Sequence, residues 1–217
     1  MNNRRSVLLF DLDGTLIDSF DGITRSIAHA FEQLGETGPD PTALRDWIGP
    51  PLRTSFGAWF GDSEDARMET ALAHYRTRFD CMGWREHTIY EGVHEAIDEL
   101  AARGHRIAVV TAKNEPHAQR IVEHLPFAQH LEQVVGASLD TSRSDKTELI
   151  AEALERLHVA PRHCVMIGDR RYDIEGALDH GMRAIGVGWG YGSSDELARA
   201  GAETVVGSPA DLAALLL

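Results

Sequence analysis

Apolar residues along the chain fall into two patterns. Val7-Leu-Leu-Phe10 is a continuous apolar run closed by Asp11 and Gly14. Comparable runs stand at 107–111, 133–137, 164–168 and 184–187, with a short one at 204–206. Continuous rather than alternating runs predict parallel strands covered on both faces. Between them apolar residues recur every three or four positions. Val93, Ala96, Ile97, Leu100 and Ala101 predict a helix over 93–103 stopped by Gly104, and the same spacing predicts helices over 117–125, 146–157 and 174–180. Strands alternating with helices predict an α/β protein with an open parallel sheet.

The stretch from Ile17 to Tyr90 breaks this rhythm. It shows no strand pattern, and helical spacing covers 21–34, 42–47, 51–60 and 64–79, with Gly35, Gly38-Pro39, Gly49-Pro50-Pro51, Gly61 and Gly83 between. Ligands in open α/β sheets bind at the carboxyl ends of the strands. A helical insert directly after the first strand is therefore expected to act as a lid.

Composition narrows the function. The 217 residues suit one domain carrying a smaller insert. A net charge of −13 argues against a nucleic-acid partner, which calls for a basic surplus. It does not exclude a small phosphorylated metabolite, because a local site can be positive in an acidic protein. Cys81 and Cys164 stand far apart, so no disulfide framework is expected and a reducing compartment is. The apolar run after Ser6 is too short for a signal-peptide core, and no run reaches the ~20 residues that cross a membrane. A cytoplasmic protein with no membrane partner is expected, as monomer or homodimer.

Chemistry concentrates at strand ends. Asp11-Leu-Asp-Gly-Thr15 begins where the first strand stops, and Asp11 and Asp13 point the same way in extended chain. Two carboxylates this close repel unless a cation or shared proton relieves them, and Mg2+ takes oxygen ligands. A turn or helix cap is the bland alternative. A calcium loop fails, because Leu16 and Gly22 occupy the positions that need Gly and Glu. Gly168-Asp169 and Asp173 repeat the arrangement after the fourth strand, with helix capping by Asp173 as the alternative. Thr111 ends the second strand, where its hydroxyl and the amide of Ala112 could bind a phosphate oxygen.

The chain has 19 arginines but only two lysines, Lys113 and Lys146. Both fall on the same predicted edge. Lys146 opens a helix against the dipole, at a place that suits an anion; a capping box of Asp145 with Glu148 is expected there. Lys113 is the alternative phosphate ligand. Gly186-Val-Gly-Trp-Gly-Tyr-Gly192 lacks dinucleotide spacing and reads as a mobile loop near the site, with no helix immediately after it.

In this order, Asp11-Leu-Asp-Gly-Thr15, Thr111, Lys146 and Gly168-Asp169 with Asp173 resemble the four motifs of the haloacid dehalogenase (HAD) superfamily of phosphohydrolases, over the whole chain. Ile48-Gly-Pro-Pro-Leu52 and Ile167-Gly-Asp-Arg-Arg-Tyr-Asp173 are similar to its phosphoglycolate phosphatase and 5′-nucleotidase branch. The resemblance implies a Rossmann-like parallel-sheet core, residues 1–16 and 92–217, with an α-helical bundle cap, residues 17–91, inserted after the first strand. It implies an Mg2+-dependent phosphatase in which Asp11 is the nucleophile and Asp13 the general acid and base. Asp11, Asp13 through its backbone carbonyl, Asp169 and Asp173 would hold the metal. Thr111, Ala112 and Lys146 or Lys113 would hold the phosphoryl oxygens, and Arg53 of the cap a substrate carboxylate or second phosphate. Thr147 stands where the superfamily often has proline. An acid at Asp13 disfavours halide removal, and a cap without lysine disfavours phosphonate cleavage. The alternatives are a phosphomutase of β-phosphoglucomutase type and a non-catalytic phospho-accepting binding protein.

Overall fold

Strand β1 (Val7–Phe10) lies at the middle of a sheet rather than at its edge. The computed structural model describes residues 6–61, 66–139 and 142–216. After β1 come β2 (Ile17–Asp18), α1 (Phe20–Leu34), α2 (Leu52–Phe60), α3 (Ala66–Cys81) and β3 (Thr88–Ile89). The chain continues through α4 (Val93–Ala102), β4 (Arg106–Asn114), α5 (Glu115–Val122), β5 (Leu131–Ala137), α6 (Lys146–Arg156) and β6 (Cys164–Gly168). It ends with α7 (Arg171–Asp179), β7 (Arg183–Val187), α8 (Ser194–Arg199), β8 (Thr204–Val206) and α9 (Pro209–Leu215).

Six strands pair in the order β5-β4-β1-β6-β7-β8, every pair parallel. The chain thus builds outward from β1 to β5, then returns to lay β6 on the other side of β1. Strand order reverses between β1 and β6, and the loops leaving these two strands open a crevice there. Every residue of β1 and of β6 is buried, as covering on both faces requires. Val7 and Leu9 pack with Leu149, Ile150 and Ala153 of α6 and Ile174 and Ala177 of α7. Leu8 and Phe10, pointing the other way, are equally buried. Each such aliphatic side chain contributes ~1.5–3 kcal/mol by leaving water.

By its contacts the chain divides into two bodies. One holds the six-stranded sheet and comprises the described residues up to Ile17 and from Ile89 onward; the other runs from Asp18 to Thr88. β2 and β3, at the two passages between bodies, pair as a separate two-stranded ribbon. They correct the expectation of no strand between Ile17 and Tyr90; two residues each are too few to show a period.

In the second body α1 packs on α3. α1 also lies close to the segment that follows α3, where a Cβ on Gly22 would lie 2.2 Å from the Gly83 carbonyl oxygen. Phe31 gathers Phe56, Trp59 and Phe60 at ring-centroid distances of 5.7, 5.7 and 6.0 Å. The expected helix over 42–47 is a 3-10 segment, Ala43–Trp47. Residues 64 and 65, expected to begin the next helix, lie outside the described residues.

Among the described residues no helix is long and apolar enough to cross a membrane.

Candidate active site

Asp11 is placed by the sheet. Its backbone N–H donates to the Ile167 carbonyl at 2.9 Å, continuing the β1–β6 pairing one residue beyond the strand. The chain then folds back on itself: Leu16 N and Ile17 N both donate to Leu12 O, at 3.0 and 3.1 Å. Gly14 makes the turn at φ 88°, a left-handed conformation that glycine adopts without strain. A Cβ on Gly14 would sit 2.3 Å from Asp169 Oδ2, so a hydrogen there also lets the two motifs meet.

Asp169 follows β6 and is wholly buried. Its Oδ2 accepts from Tyr191 N at 2.7 Å and its Oδ1 from Thr15 Oγ1 at 3.3 Å. Asp173 lies in the first turn of α7, where its Oδ2 accepts from Arg170 N at 3.0 Å. It therefore does cap the helix, while its Oδ1 finds no aligned hydrogen bond. Asp11, Asp169 and Asp173 each offer a carboxylate oxygen within 4.8 Å of the others. Asp13, 8% exposed, is not in that group, and its Oδ1 is buried without a hydrogen-bond partner.

Lys146 reaches into this cluster from the first turn of α6. Its Nζ donates to Asp11 Oδ1 at 2.9 Å and to Val110 O at 2.9 Å, and lies 2.7 Å from Asp173 Oδ1 in an ion pair. A solvated lysine is thereby ruled out; the side chain is 6% exposed. Asp145 caps the helix by accepting from Thr147 N at 2.8 Å. Thr111 is buried, its Oγ1 accepting from Lys113 N at 3.2 Å, with half-buried Ala112 between them. Lys113 Nζ pairs with Asp13 Oδ2 at 3.1 Å.

The electrostatics are unbalanced. Four carboxylates, Asp11, Asp13, Asp169 and Asp173, face two ammoniums, an excess of two negative charges when all are ionised. Burial, opposed by Lys146 but reinforced by Asp173 and Asp13, pushes Asp11 up from its ordinary 3.8 to about 6. Burial together with Asp173 and Asp11 holds Asp169 well above the carboxylate range. For Lys146 burial works against the charge, but Asp11 and Asp173 outweigh it and its pKa is raised. Hard oxygen donors within 4.8 Å of one another and an excess of two negative charges fit a divalent cation.

The structure thus brings Asp11, Asp13, Thr111, Ala112, Lys113, Lys146, Asp169 and Asp173 to the carboxyl ends of β1, β4 and β6. Arg53 belongs to the other body, where both arms of its guanidinium engage Glu69 of α3, Nη2 to Oε2 at 3.0 Å. The glycine-rich segment lies against the site, Trp189 Nε1 donating to Thr15 O at 3.0 Å, and α8 starts at Ser194, two residues beyond Gly192, which corrects the expectation of no helix immediately after it. A Cβ on Gly190 would lie 2.3 Å from Gly14 O and 2.4 Å from the Asp169 Cβ. Thr15, Gly190 and the Tyr191 amide, which hold Asp169, were not singled out from sequence; the density of glycine was the available signal.

A parallel sheet with acidic loops after β1 and β6 and a buried lysine between them defines a class, and residues 8–187 match it: the chain belongs to the haloacid dehalogenase-like hydrolase family. It is 44% identical over 190 residues to a 5′-nucleotidase of Pseudomonas aeruginosa, covering 88% of this chain and 86% of that one. It is 40% identical over 189 residues to the tyrosine-protein kinase PtkA of Mycobacterium tuberculosis, covering 87% of this chain and 64% of the kinase. A predicted phosphatase of Clostridium acetobutylicum superposes with a TM-score of 0.92 at 35% identity, covering 98% of each chain.

Proposed function

We propose that the chain is a phosphatase that hydrolyses a small phosphomonoester, of phosphoglycolate or nucleoside 5′-monophosphate type, with Mg2+ and through a phosphoryl group carried on Asp11. That it is a phosphoric monoester hydrolase agrees with its family and its nucleotidase relative. The observation that carries the mechanism is the convergence of three buried carboxylates within 4.8 Å beside the Lys146 ammonium.

In this reading an Asp11 carboxylate oxygen bonds to phosphorus while the ester P–O bond breaks. Asp13 gives its proton to the leaving alcohol, then takes one from the water that breaks the Asp11–phosphorus linkage. Lys146 keeps Asp11 in place and offsets charge on the phosphoryl oxygens, with the Thr111 hydroxyl and the Ala112 amide beside them. Asp11, Asp169 and Asp173, with the Asp13 carbonyl, would hold Mg2+, which supplies Lewis-acid stabilisation of the transferring phosphoryl group when bound.

One observation favours a second reading. The 40% identity to PtkA suits transfer of the phosphoryl group to a protein tyrosine instead of water. The same Asp11 chemistry would serve, with a phenol as acceptor.

The test is phosphate release from phosphoglycolate, nucleoside 5′-monophosphates and sugar phosphates, with Mg2+ and with excess chelator. Release that needs Mg2+ is expected. No release from any ester would move the assignment to a mutase, to tyrosine phosphorylation or to a phospho-accepting binding protein.

A further inference from the structure

The two lysines take three of the four carboxylates between them, while Asp169 is held by the Tyr191 amide and the Thr15 hydroxyl. Of these four, Lys146 serves Asp11 and Asp173, whereas Lys113 pairs with Asp13 at 3.1 Å, with both side chains about nine-tenths buried. The Lys113 side chain is aimed by an irregularity in its strand. Thr111 of β4 pairs with Gly136 of β5, but the next pair is Asn114 with Ala137, so Ala112 and Lys113 are extra residues in β4. Bulges beside active sites redirect side chains in this way.

The bulge is fixed from behind. Gly136 N donates to Glu115 Oε2 at 3.0 Å, and Arg156 Nη1 donates to Glu115 Oε1 at 3.1 Å. A Cβ on Gly136 would lie 2.6 Å from the Lys113 carbonyl oxygen. The result for Asp13 is an asymmetric carboxylate, with Oδ2 held by Lys113 and Oδ1 buried without a partner.

Resting on the phosphatase reading above, we propose that Lys113 is a positioning residue for Asp13 rather than a phosphate ligand: it holds Oδ2 so that Oδ1 is presented to the leaving oxygen. In the form of Asp13 that carries a proton on Oδ1 while Oδ2 stays paired with Lys113, that proton passes to the leaving oxygen as the Asp11–phosphorus bond forms and the ester P–O bond breaks, and Asp13 is left as the carboxylate. Lys113 itself gains and loses nothing; it fixes the angle of delivery, and it keeps Asp13 out of the cluster of Asp11, Asp169 and Asp173.

The test compares two esters on the same preparation of Lys113→Met. An alkyl phosphate needs a proton on its leaving oxygen; p-nitrophenyl phosphate leaves as a stable anion and does not. Because kcat/KM reports the step that transfers phosphorus to Asp11, a loss routed through Asp13 is expected to be about 100-fold for the alkyl ester and less than about threefold for the aryl ester. The ratio of the two is independent of how much of the variant is folded. Equal losses on both esters would overturn the proposal in favour of phosphate binding or a structural role, as would no loss on either. Absence of turnover of both esters by the wild-type protein would instead overturn the phosphatase reading, and this proposal with it.

Discussion

Lys146 donates to Asp11 across 2.9 Å although 135 positions separate them in the chain. The contact closes a circuit: α6 brings the lysine, β1 the first aspartate and α7 the second, Asp173, 2.7 Å from the same nitrogen. Breaking such a buried ionic group by removing one partner leaves uncompensated charge, at a cost of about 3–5 kcal/mol. One ammonium does not balance the site, and what remains is expected to show in pH and metal dependence.

Without metal, the site disfavours its own charge. Asp11 titrates at about 6 in the fold, against an ordinary 3.8, because burial and the neighbouring carboxylates outweigh Lys146. A carboxyl whose folded pKa is raised binds its proton more tightly folded than unfolded. Its favourable contribution is full below about 3.8 and is lost as pH rises through about 6. Asp169 is shifted in the same direction. The metal-free protein should therefore lose stability, on the order of 3 kcal/mol from Asp11 alone, between about pH 4 and pH 7. Melting temperatures of wild type and Asp11→Asn across that range check this; the variant should show the smaller fall.

Mg2+ should reverse that loss. A ligand bound only by the folded state at about 100 times its Kd stabilises by ~2.7 kcal/mol. Thermal melts with and without Mg2+ should show such a rise in wild type and little or none in Asp169→Ala. The variant should also need more Mg2+ for half-maximal activity. An unchanged titration would remove Asp169 from the metal site.

Gly190→Ala tests the wall behind Asp169. The added methyl meets Gly14 O at 2.3 Å and the Asp169 Cβ at 2.4 Å, both closer than real contacts allow. A cost of ~1–3 kcal/mol is expected, together with weaker Mg2+-induced stabilisation, because Asp169 must move. Normal melting and a normal metal response would show that the loop yields without displacing the carboxylate.

Much of the sheet was legible because its strands are continuous apolar runs. Val7–Phe10 and Cys164–Gly168 have the bounds that their composition suggests. Helix starts were less legible. α5 begins at Glu115 rather than 117, with Pro116 fitting the first turn, where no donor is needed, and Asn114 standing at the N-cap position without a side-chain cap bond. α7 begins at Arg171 rather than 174, because its first turn is polar and carries no period. Two short helices, α8 and α9, escaped hydrophobic spacing. Ser193 and Ser208 mark them, each accepting from the amide of an acidic residue three places on, Glu196 and Asp211. Within the site, motif order located the four carboxylates and both lysines. Which lysine meets which carboxylate is set by the β4 bulge and the β1–β6 register, and sequence spacing does not encode either. Arg53 was open to a partner anywhere nearby, and Glu69 on α3 supplies it.

The central claim is that phosphorus passes through Asp11. Mixing the enzyme with a turned-over phosphomonoester and Mg2+, quenching in acid within one turnover and mapping peptides by mass spectrometry tests it directly. The account predicts one phosphoryl group on the peptide holding Asp11 in wild type. It predicts none in Asp11→Asn, whose turnover should fall by at least about 10⁴-fold. A phosphoryl group on another residue, or an Asp11→Asn variant as active as wild type, would contradict it.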